Sequence, residues 1–472
     1  MKRHRPVSAL PLAAVLLLVV VPAVPQAADA SGTASRIRPD PDHPAYWNYR
    51  GQPVLLLGGS VEDNLFQIPD LEAHLDLLQS VGGNYVRCTM SCRDDGNVWP
   101  FKEVAPGRYD LDQWNEAFWE RFERFLRLTA QRDIIVQIEL WATFDYYRDI
   151  WERNPFNPKN NVNYTAEETG LPMVVDSHPT RTENNFFWSV PAERNQPTVL
   201  RYQRRFVDRL LDHALPYGNV LYCMDNETSV TPEWGWYWSG RIRSRAGADD
   251  LEVQTTEMWD AWDLAHAMHN ATFDHPRIYS FVDISQNNHQ KGQAHWDNLA
   301  KQRARIAGQP RPLNNVKIYG ADTGRFGATQ DGQERFWRSI FGGCAAARFH
   351  RPDSGLGLGE IAQANLRSAR LLTDRFPVFT CRPAPELLGA RDPNEAYALS
   401  RPGEATAVYF PAAGEVTLKP DDLSGNVRLE WLEVATSKWS PPTTVSIDAP
   451  LGLKTPGPGQ WVALLRSVIP VD

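Results

Sequence analysis

The sequence predicts a (β/α)8 TIM barrel followed by a small antiparallel β-sandwich, an α/β architecture with an all-β appendage. Two observations carry that prediction. From residue 46 to about residue 378, short apolar runs alternate with longer segments of helical period, the pattern of parallel strands joined by helical crossovers. Beyond about residue 385 the helical period disappears. Short alternating runs then recur at intervals of about ten residues, with turn residues between them. The Pro-rich stretch "VFTCRPAPELLGARDPN" lies between the two textures. The expected organisation is a leader over 1–30, the barrel over 40–378 and the sandwich over 385–472.

The leader comes first. Lys2, Arg3, His4 and Arg5 form a basic start, the apolar run Ala9 to Val24 follows, and Ala28 and Ala30 make an A-x-A cleavage pattern before Ser31. The run is short, holds Pro11 and Pro22, and has no stop-transfer segment behind it, as in a secretory signal peptide. The mature chain is therefore expected to be secreted or periplasmic, without a membrane span.

The barrel elements follow in order. "PVLLLGGS" (53–60) predicts a strand ending in glycines, and "PDLEAHLDLLQSVGG" (69–83) a helix with Leu71, Leu75 and Leu78 on one face. "NYVRCTM" (84–90) is a strand. Trp114, Phe118, Phe122 and Phe125 then mark one face of a helix, before the strand "IIVQIEL" (134–140). A long Asn-, Pro- and aromatic-rich insertion runs from Trp141 to Arg194, of a length that is uncommon in a compact domain unless functional. A helix over 197–218 leads to a fourth strand in "NVLYCMDNETS" (219–229). "EMWDAWDLAHAMHNATF" predicts a helix, 277–285 and 314–324 strands, 332–344 a helix, 345–352 a strand, and "IAQANLRSARLLTDRF" the closing helix. Seven strands are found this way, and the eighth is expected near 290–305.

Bulk properties exclude several functions. With 49 Lys and Arg against 57 Asp and Glu, the chain carries a net charge of −8 with the signs interspersed. No basic stripe is present to recruit nucleic acid. The five cysteines are scattered, and Cys88, Cys92 and Cys223 fall in or just after apolar strands. They predict small buried residues with at most one or two disulfides. No CxxC or HExxH spacing occurs, so neither a metal nor a cofactor is expected. Aromatic residues make up 11% of the chain, many of them beside polar residues outside the periodic segments, where ring faces can stack on sugars.

Barrel chemistry sits at the C-terminal ends of the strands. Strand four breaks from an apolar run into Asp225-Asn226-Glu227. Glu227 is the candidate general acid, with a pKa raised by partial desolvation, and Asn226 a donor to a sugar hydroxyl. Spacing alone rather favours the reading that Asp225 or Asn226 caps the next helix and Glu227 is an acid of its first turn. Two carboxylates suffice to cleave a glycosidic bond. Trp141, Tyr146, Tyr147 and Trp188 on the insertion, and Trp234, Trp236 and Trp238 on "PEWGWYWSG" (232–240), are candidates for stacking on sugar. His289 and His350 are candidates for binding hydroxyls.

With "YWNYRGQPVLLLGGS" opening the barrel and "CMDNE" on strand four, the sequence resembles the clan of retaining (β/α)8 glycoside hydrolases that place Asn-Glu at the end of strand four. More narrowly it is similar to the apiosidase-like bacterial family, whose barrel precedes a small β-sandwich that carries a collagen-binding label. "ATAVYFPAAGEVTLKPDDLSGNVRLEWLEVATSKW" belongs to the segment similar to that sandwich. The resemblance implies Glu227 as acid/base, Asn226 as its neighbour and Arg87 as the strand-two arginine supporting the nucleophile. The family's nucleophile is a glutamate at the end of strand seven, where this chain has "VKIYGADTG". The nearest carboxylate is Asp322, one methylene shorter, which would favour water between the two groups. Glu139, Asp283 or Glu334 could serve instead, or Asp322 could make only an Asx turn. The expectation is a secreted glycoside hydrolase acting on a polysaccharide or its branches. The alternative is a degenerate barrel that binds carbohydrate without cutting it.

Overall fold

The computed structural model describes Met1 and residues 35–467, apart from 182–183, 323–325, 420 and 448. The predicted leader, beyond Met1, lies outside the described residues. Eight parallel strands form the barrel: β1 (Leu56–Gly59), β2 (Tyr85–Thr89), β3 (Ile135–Trp141), β4 (Val220–Asp225), β5 (Gln254–Thr256), β6 (Val282–Asp283), β7 (Leu313–Ile318) and β8 (Ala346–Phe349). Their order in the sheet is β5-β4-β3-β2-β1-β8-β7-β6. The remaining seam is bridged by single bonds, Ser280 N donating to Thr255 O (3.1 Å) and Asp283 N to the Thr256 hydroxyl (3.2 Å).

Longer helices pack around this sheet: α1 (Leu71–Ser80), α2 (Glu116–Gln131), α3 (Pro197–Ala214), α4 (Pro232–Gly247), α5 (Gly292–Arg305), α6 (Thr329–Phe341) and α7 (Glu360–Thr373). In α2, Phe118, Phe122 and Phe125 are buried on one face, as the helical spacing requires. Trp114 instead ends the hairpin Phe101–Ala105/Arg108–Trp114 and stacks on Phe101 at 5.3 Å.

The fifth strand departs from the sequence reading. It is Gln254–Thr256, and 292–305 is helix α5. Three polar residues between Val253 and Glu257 carry little apolar signal, whereas burial comes from the strands on either side. "EMWDAWDLAHAMHNATF" is mostly loop, with only short turns of helix at Ala267–His269 and Asn270–Phe273. Its apolar residues are pinned one by one. Trp259 Nε1 donates to the Thr272 hydroxyl (2.7 Å), and Leu264 packs with Phe273 and Leu299. "PEWGWYWSG" is not a loop but the start of α4, with Pro232 in its first turn.

The barrel interior is polar through two layers. Low in the barrel, the Tyr85 hydroxyl donates to Gln137 Oε1 (2.6 Å), Gln137 Nε2 to Asp283 Oδ2 (3.2 Å) and Asn314 Nδ2 to the Tyr85 oxygen (3.2 Å). Trp47 closes the N-terminal end, donating to Asn314 Oδ1 (2.9 Å). One layer higher, two residues along β2 and β3, Arg87 grips Glu139 with both arms (2.7 and 2.6 Å). Asp283 and Glu139 are consumed by these networks.

The C-terminal unit has two antiparallel sheets. The larger contains β9 (Tyr397–Arg401), β10 (Ala405–Phe410), β12 (Asn426–Glu433), β13 (Thr443–Ser446) and β15 (Trp461–Ser467), and the smaller contains β11 (Glu415–Leu418) and β14 (Leu451–Lys454). Both faces of the larger sheet are covered. Tyr397, Leu399, Ala407 and Tyr409 join the barrel's core, while the alternate residues Ala398, Val408 and Phe410 face the smaller sheet. Tyr409 stacks on Trp337 of α6 at 5.4 Å, and Tyr397 lies 4.6 Å from Trp296 of α5. Glu334 is held in this contact by Arg338 (2.7 Å) and Asn394 (3.1 Å). The described cysteines are all free, and only Cys381 is not fully buried.

Truncating Trp337 to Ala removes a fully buried ring shared by both units and should cost about 3–5 kcal/mol. Urea unfolding of the whole chain measures this as a lower midpoint.

Candidate active site

At the C-terminal ends of the strands lies a cavity of about 560 Å³. Among its lining residues are Asp63, Arg87, Asn226, Glu227, Asp260 and Lys317, together with the aromatic rings of Phe144, Tyr147, Trp262, Tyr319 and Phe326.

Glu227 lies two residues past the end of β4, in the left-handed backbone region at φ 65°. A glutamate there is strained, and strain of this kind persists only where neighbours over-determine it. They do so here. Asn226 N donates to Trp141 O (3.0 Å), and the Thr143 hydroxyl to Asn226 O. Thr228 N donates to Met258 O (2.9 Å), and Asp260 N returns a bond to Thr228 O (2.8 Å). The loops after β4 and β5 are thus stitched together, with Glu227 on one and Asp260 on the other.

A buried acid pair lies beneath them. Asp225 N and Met258 N both donate to Glu257 Oε1 (3.0 Å each), and Trp234 Nε1 donates to Asp225 Oδ2 (2.8 Å). Burial pushes both carboxyls well above their ordinary values, and for Glu257 the Asp225 charge adds to it, so the pair retains a proton.

Glu227 itself does not behave as the sequence reading expected. Burial alone would raise its pKa, but the Lys317 ammonium, with Arg87 and His178 farther off, holds it at about 2. Lys317 Nζ bonds Glu227 Oε1 and reaches Asn226 Oδ1 (3.3 Å), and the Tyr319 hydroxyl donates to the same Oε1 (3.3 Å). Glu227 is therefore an ionised carboxylate rather than a proton donor. Lys317 reaches the cavity because β7 has an irregular register between Asn315 and Ile318. That shift lets Asn314 and Lys317, three residues apart, both point inward. Where the resemblance implies a carboxylate at the end of β7, the chain presents Lys317 and Tyr319.

Asp260 is the other acid beside Glu227. Burial raises its pKa, the Glu227 charge raises it further, and Arg181, bonded to it, opposes both. Asp63 differs again. Burial would raise it, but the guanidinium groups of Arg87 (2.7 Å), Arg93 (3.0 Å) and Arg351 (3.6 Å) hold it well below the ordinary range, with His350 Nδ1 3.5 Å away. His350 is kept neutral chiefly by burial.

Of the sequence candidates, the fold gathers Glu227, Asn226, Arg87, His289 and His350 around the cavity, and Tyr147 from the insertion. Asp322 is not among the lining residues. It is exposed, and its Oδ1 accepts from Thr329 N (2.9 Å) at the start of α6. Trp141, Trp234 and Trp238 are fully buried against each other and Phe186, unavailable for stacking on sugar. Once α4 forms, its inner face must carry the large rings. Trp236 leans on His275 at 4.8 Å, and Trp188 lies beneath Arg194. Tyr146 is packed on Phe186 at 4.2 Å. The lining residues missing from the sequence reading include Phe144, His178, Arg181, Asp260, Trp262, Lys317, Tyr319 and Phe326. For Lys317 the one signal was its place between the apolar Val316 and Ile318. Among the described residues no group of His, Cys, Asp and Glu side chains is arranged to hold a metal ion, and no helix is long and apolar enough to cross a membrane.

No family model matches the chain. No curated protein matches it in sequence. Solved structures do resemble it. A glycoside hydrolase family 5 protein from Bacteroides vulgatus superposes with a TM-score of 0.62 at 11% identity, covering 92% of this chain and 93% of that one. A second glycoside hydrolase gives a TM-score of 0.60 at 10% identity, over 92% and 97%. An α-amylase from Geobacillus thermoleovorans complexed with acarbose gives 0.55 at 12%, over 88% and 97%. At such identities the likeness is one of fold, a TIM barrel with a β-sandwich behind it.

The Glu227–Lys317 pair has a pH signature. A carboxyl held at about 2 in the fold, against an ordinary 4.5, contributes stability that is complete above the ordinary value and lost as pH falls towards 2. Lys317→Met should reverse the sign. The buried, unpaired Glu227 then titrates above its ordinary value, and its contribution is lost as pH rises. Urea midpoints from pH 2 to 8 for the two proteins give the comparison.

Proposed function

We propose that the chain is a glycoside hydrolase in which Glu227 works as the ionised carboxylate and Asp260 as the proton donor. The observation that carries this is the pair's electrostatic split. Two carboxyls on stitched loops line one cavity, one depressed by an ammonium and the other raised by burial and by its neighbour's charge. Divergent pKa values in one cleft are how two like groups divide acid and base work. The role expected for Glu227 from the sequence is thereby exchanged, and Asp322, outside the cavity, takes no part.

In this reading Asp260 gives its proton to the glycosidic oxygen as the bond to the anomeric carbon breaks. Glu227 faces the cationic carbon that develops. It either attacks that carbon or takes a proton from the attacking water, according to the separation of the two groups. The hydrogen bonds from Lys317 and Tyr319 fall on Oε1, which leaves Oε2 for the substrate. Asn226 and His289 offer polar contacts to hydroxyls, and Tyr147 an aromatic face. Arg87 supports the site from below by fixing Asp63 and Glu139. The names of the similar structures point to the same chemistry, and the N-terminal leader pattern to export.

Leaving-group dependence tests the assignment. Asp260→Asn should lose about 10²–10⁴-fold in kcat on glycosides with poor leaving groups, and little on dinitrophenyl glycosides, whose leaving group needs no proton. Glu227→Gln should abolish turnover on both. Because the donor must be protonated, wild-type activity should fall as pH rises through the raised Asp260 pKa, and this limb should vanish in Asp260→Asn. Equal losses on both substrates would remove Asp260 from the role. Binding of sugar without turnover by the wild type would make the chain a carbohydrate-binding barrel.

A further inference from the structure

Trp262 is 62% exposed, the one aromatic among the exposed large apolar residues described. Water contact on so large a ring is unfavourable, and nothing in the core requires it there. The ring is nonetheless firmly backed. It lies parallel to His289 at 4.8 Å and 12°, and His289 in turn meets Tyr319 (5.6 Å) and Phe326 (4.9 Å) edge-on. One face of the indole is thus supported by a stack rooted in the cavity wall, and the other is turned to solvent.

Its position adds a second observation. Beyond Trp262 lies another depression, of about 540 Å³, to which Ser229, Asp263, His266 and Met268 contribute. That depression and the main cavity share three lining residues: Arg181, Asp260 and Trp262. The two spaces therefore meet along a ridge made of the indole and the Arg181–Asp260 pair. A ligand crossing the ridge passes from the carboxylates, over an apolar platform, into an open groove where Met268 lies beside the polar side chains of Ser229, Asp263 and His266. Sugar rings fit that sequence of surfaces, since each presents an apolar face ringed by hydroxyls.

We propose that Trp262 is a stacking subsite and that the outer depression continues the cleft, so that the ligand is an oligosaccharide whose chain runs across the ridge with a unit on either side. The inference rests on the glycoside hydrolase reading and extends it from a single cleaved bond to recognition of a chain. A single terminal sugar would occupy only the inner cavity and leave Trp262 bare.

Calorimetry on the full chain tests this, with the Glu227→Gln variant as parent so that no probe is consumed. The probes are mono- to hexasaccharides of glucose, mannose and xylose. The expected result is an affinity that rises with length in one series. Trp262→Ala should flatten that rise, with a loss of about tenfold for the longer members and none for the monosaccharide. Trp262→Phe should retain most of the affinity, which separates stacking from misfolding. Equal length dependence in parent and Trp262→Ala would overturn the proposal, as would the absence of any length dependence in the parent. The two readings fail separately. Turnover of aryl monoglycosides by the wild type without length-dependent binding leaves the hydrolase standing and removes the subsite. Length-dependent, Trp262-sensitive binding without turnover does the reverse. Neither binding nor turnover removes both.

Discussion

Arg87 has 1% of its surface exposed, in the middle of a barrel, and everything above it follows from how that charge is neutralised. A buried guanidinium is tolerable only with close, well-aligned partners. Glu139 from the neighbouring strand and Asp63 from the loop after β1 supply them. Asp63 then draws in Arg93 from the loop after β2, and His350 and Arg351 from the loop after β8, so that two further loops are tied to one carboxylate. TIM-barrel interiors are usually filled by branched apolar side chains. Here the layers that would hold them are hydrogen-bonded, and the rim of the cavity inherits its order from that network.

Three acids near that rim illustrate how environment divides one functional group into different states. Glu227 is ionised by Lys317, Asp63 by its cluster of cations, and Asp260 is pushed towards its neutral form by burial and by Glu227. The Asp225–Glu257 pair holds a proton out of solvent's reach and fixes the two loops to each other. None of these assignments depends on a bound ligand. They depend on which cation stands nearest, and Lys317 is the decisive one.

Much of the barrel was legible because its buried strands are apolar runs. "VLYCM" ending in Asp-Asn-Glu announces both β4 and the carboxylate beyond it. Legibility failed where a few residues depend on their neighbours. Gln254–Thr256 has no apolar signature, and 257–273 mimics a helical period while folding as a loop, which concealed Asp260 and Trp262. Lys317 was concealed by geometry, because alternation along β7 breaks at its irregular register. The tryptophans of "PEWGWYWSG" misled for the opposite reason. A dense aromatic run beside a candidate acid suggests a platform, yet on a helix packed against the barrel the same spacing makes core.

The larger C-terminal sheet gives one face to its own partner sheet and the other to α5 and α6. Many appended β-modules are beads on a string, free to be exchanged between genes by recombination. This one is closer to a keystone. Removing the sandwich at the Pro-rich connection would strip the aromatic faces of Trp296 and Trp337 and take Asn394 from Glu334. Barrel and sandwich are therefore expected to have travelled through evolution as a single heritable block, their lineages branching together.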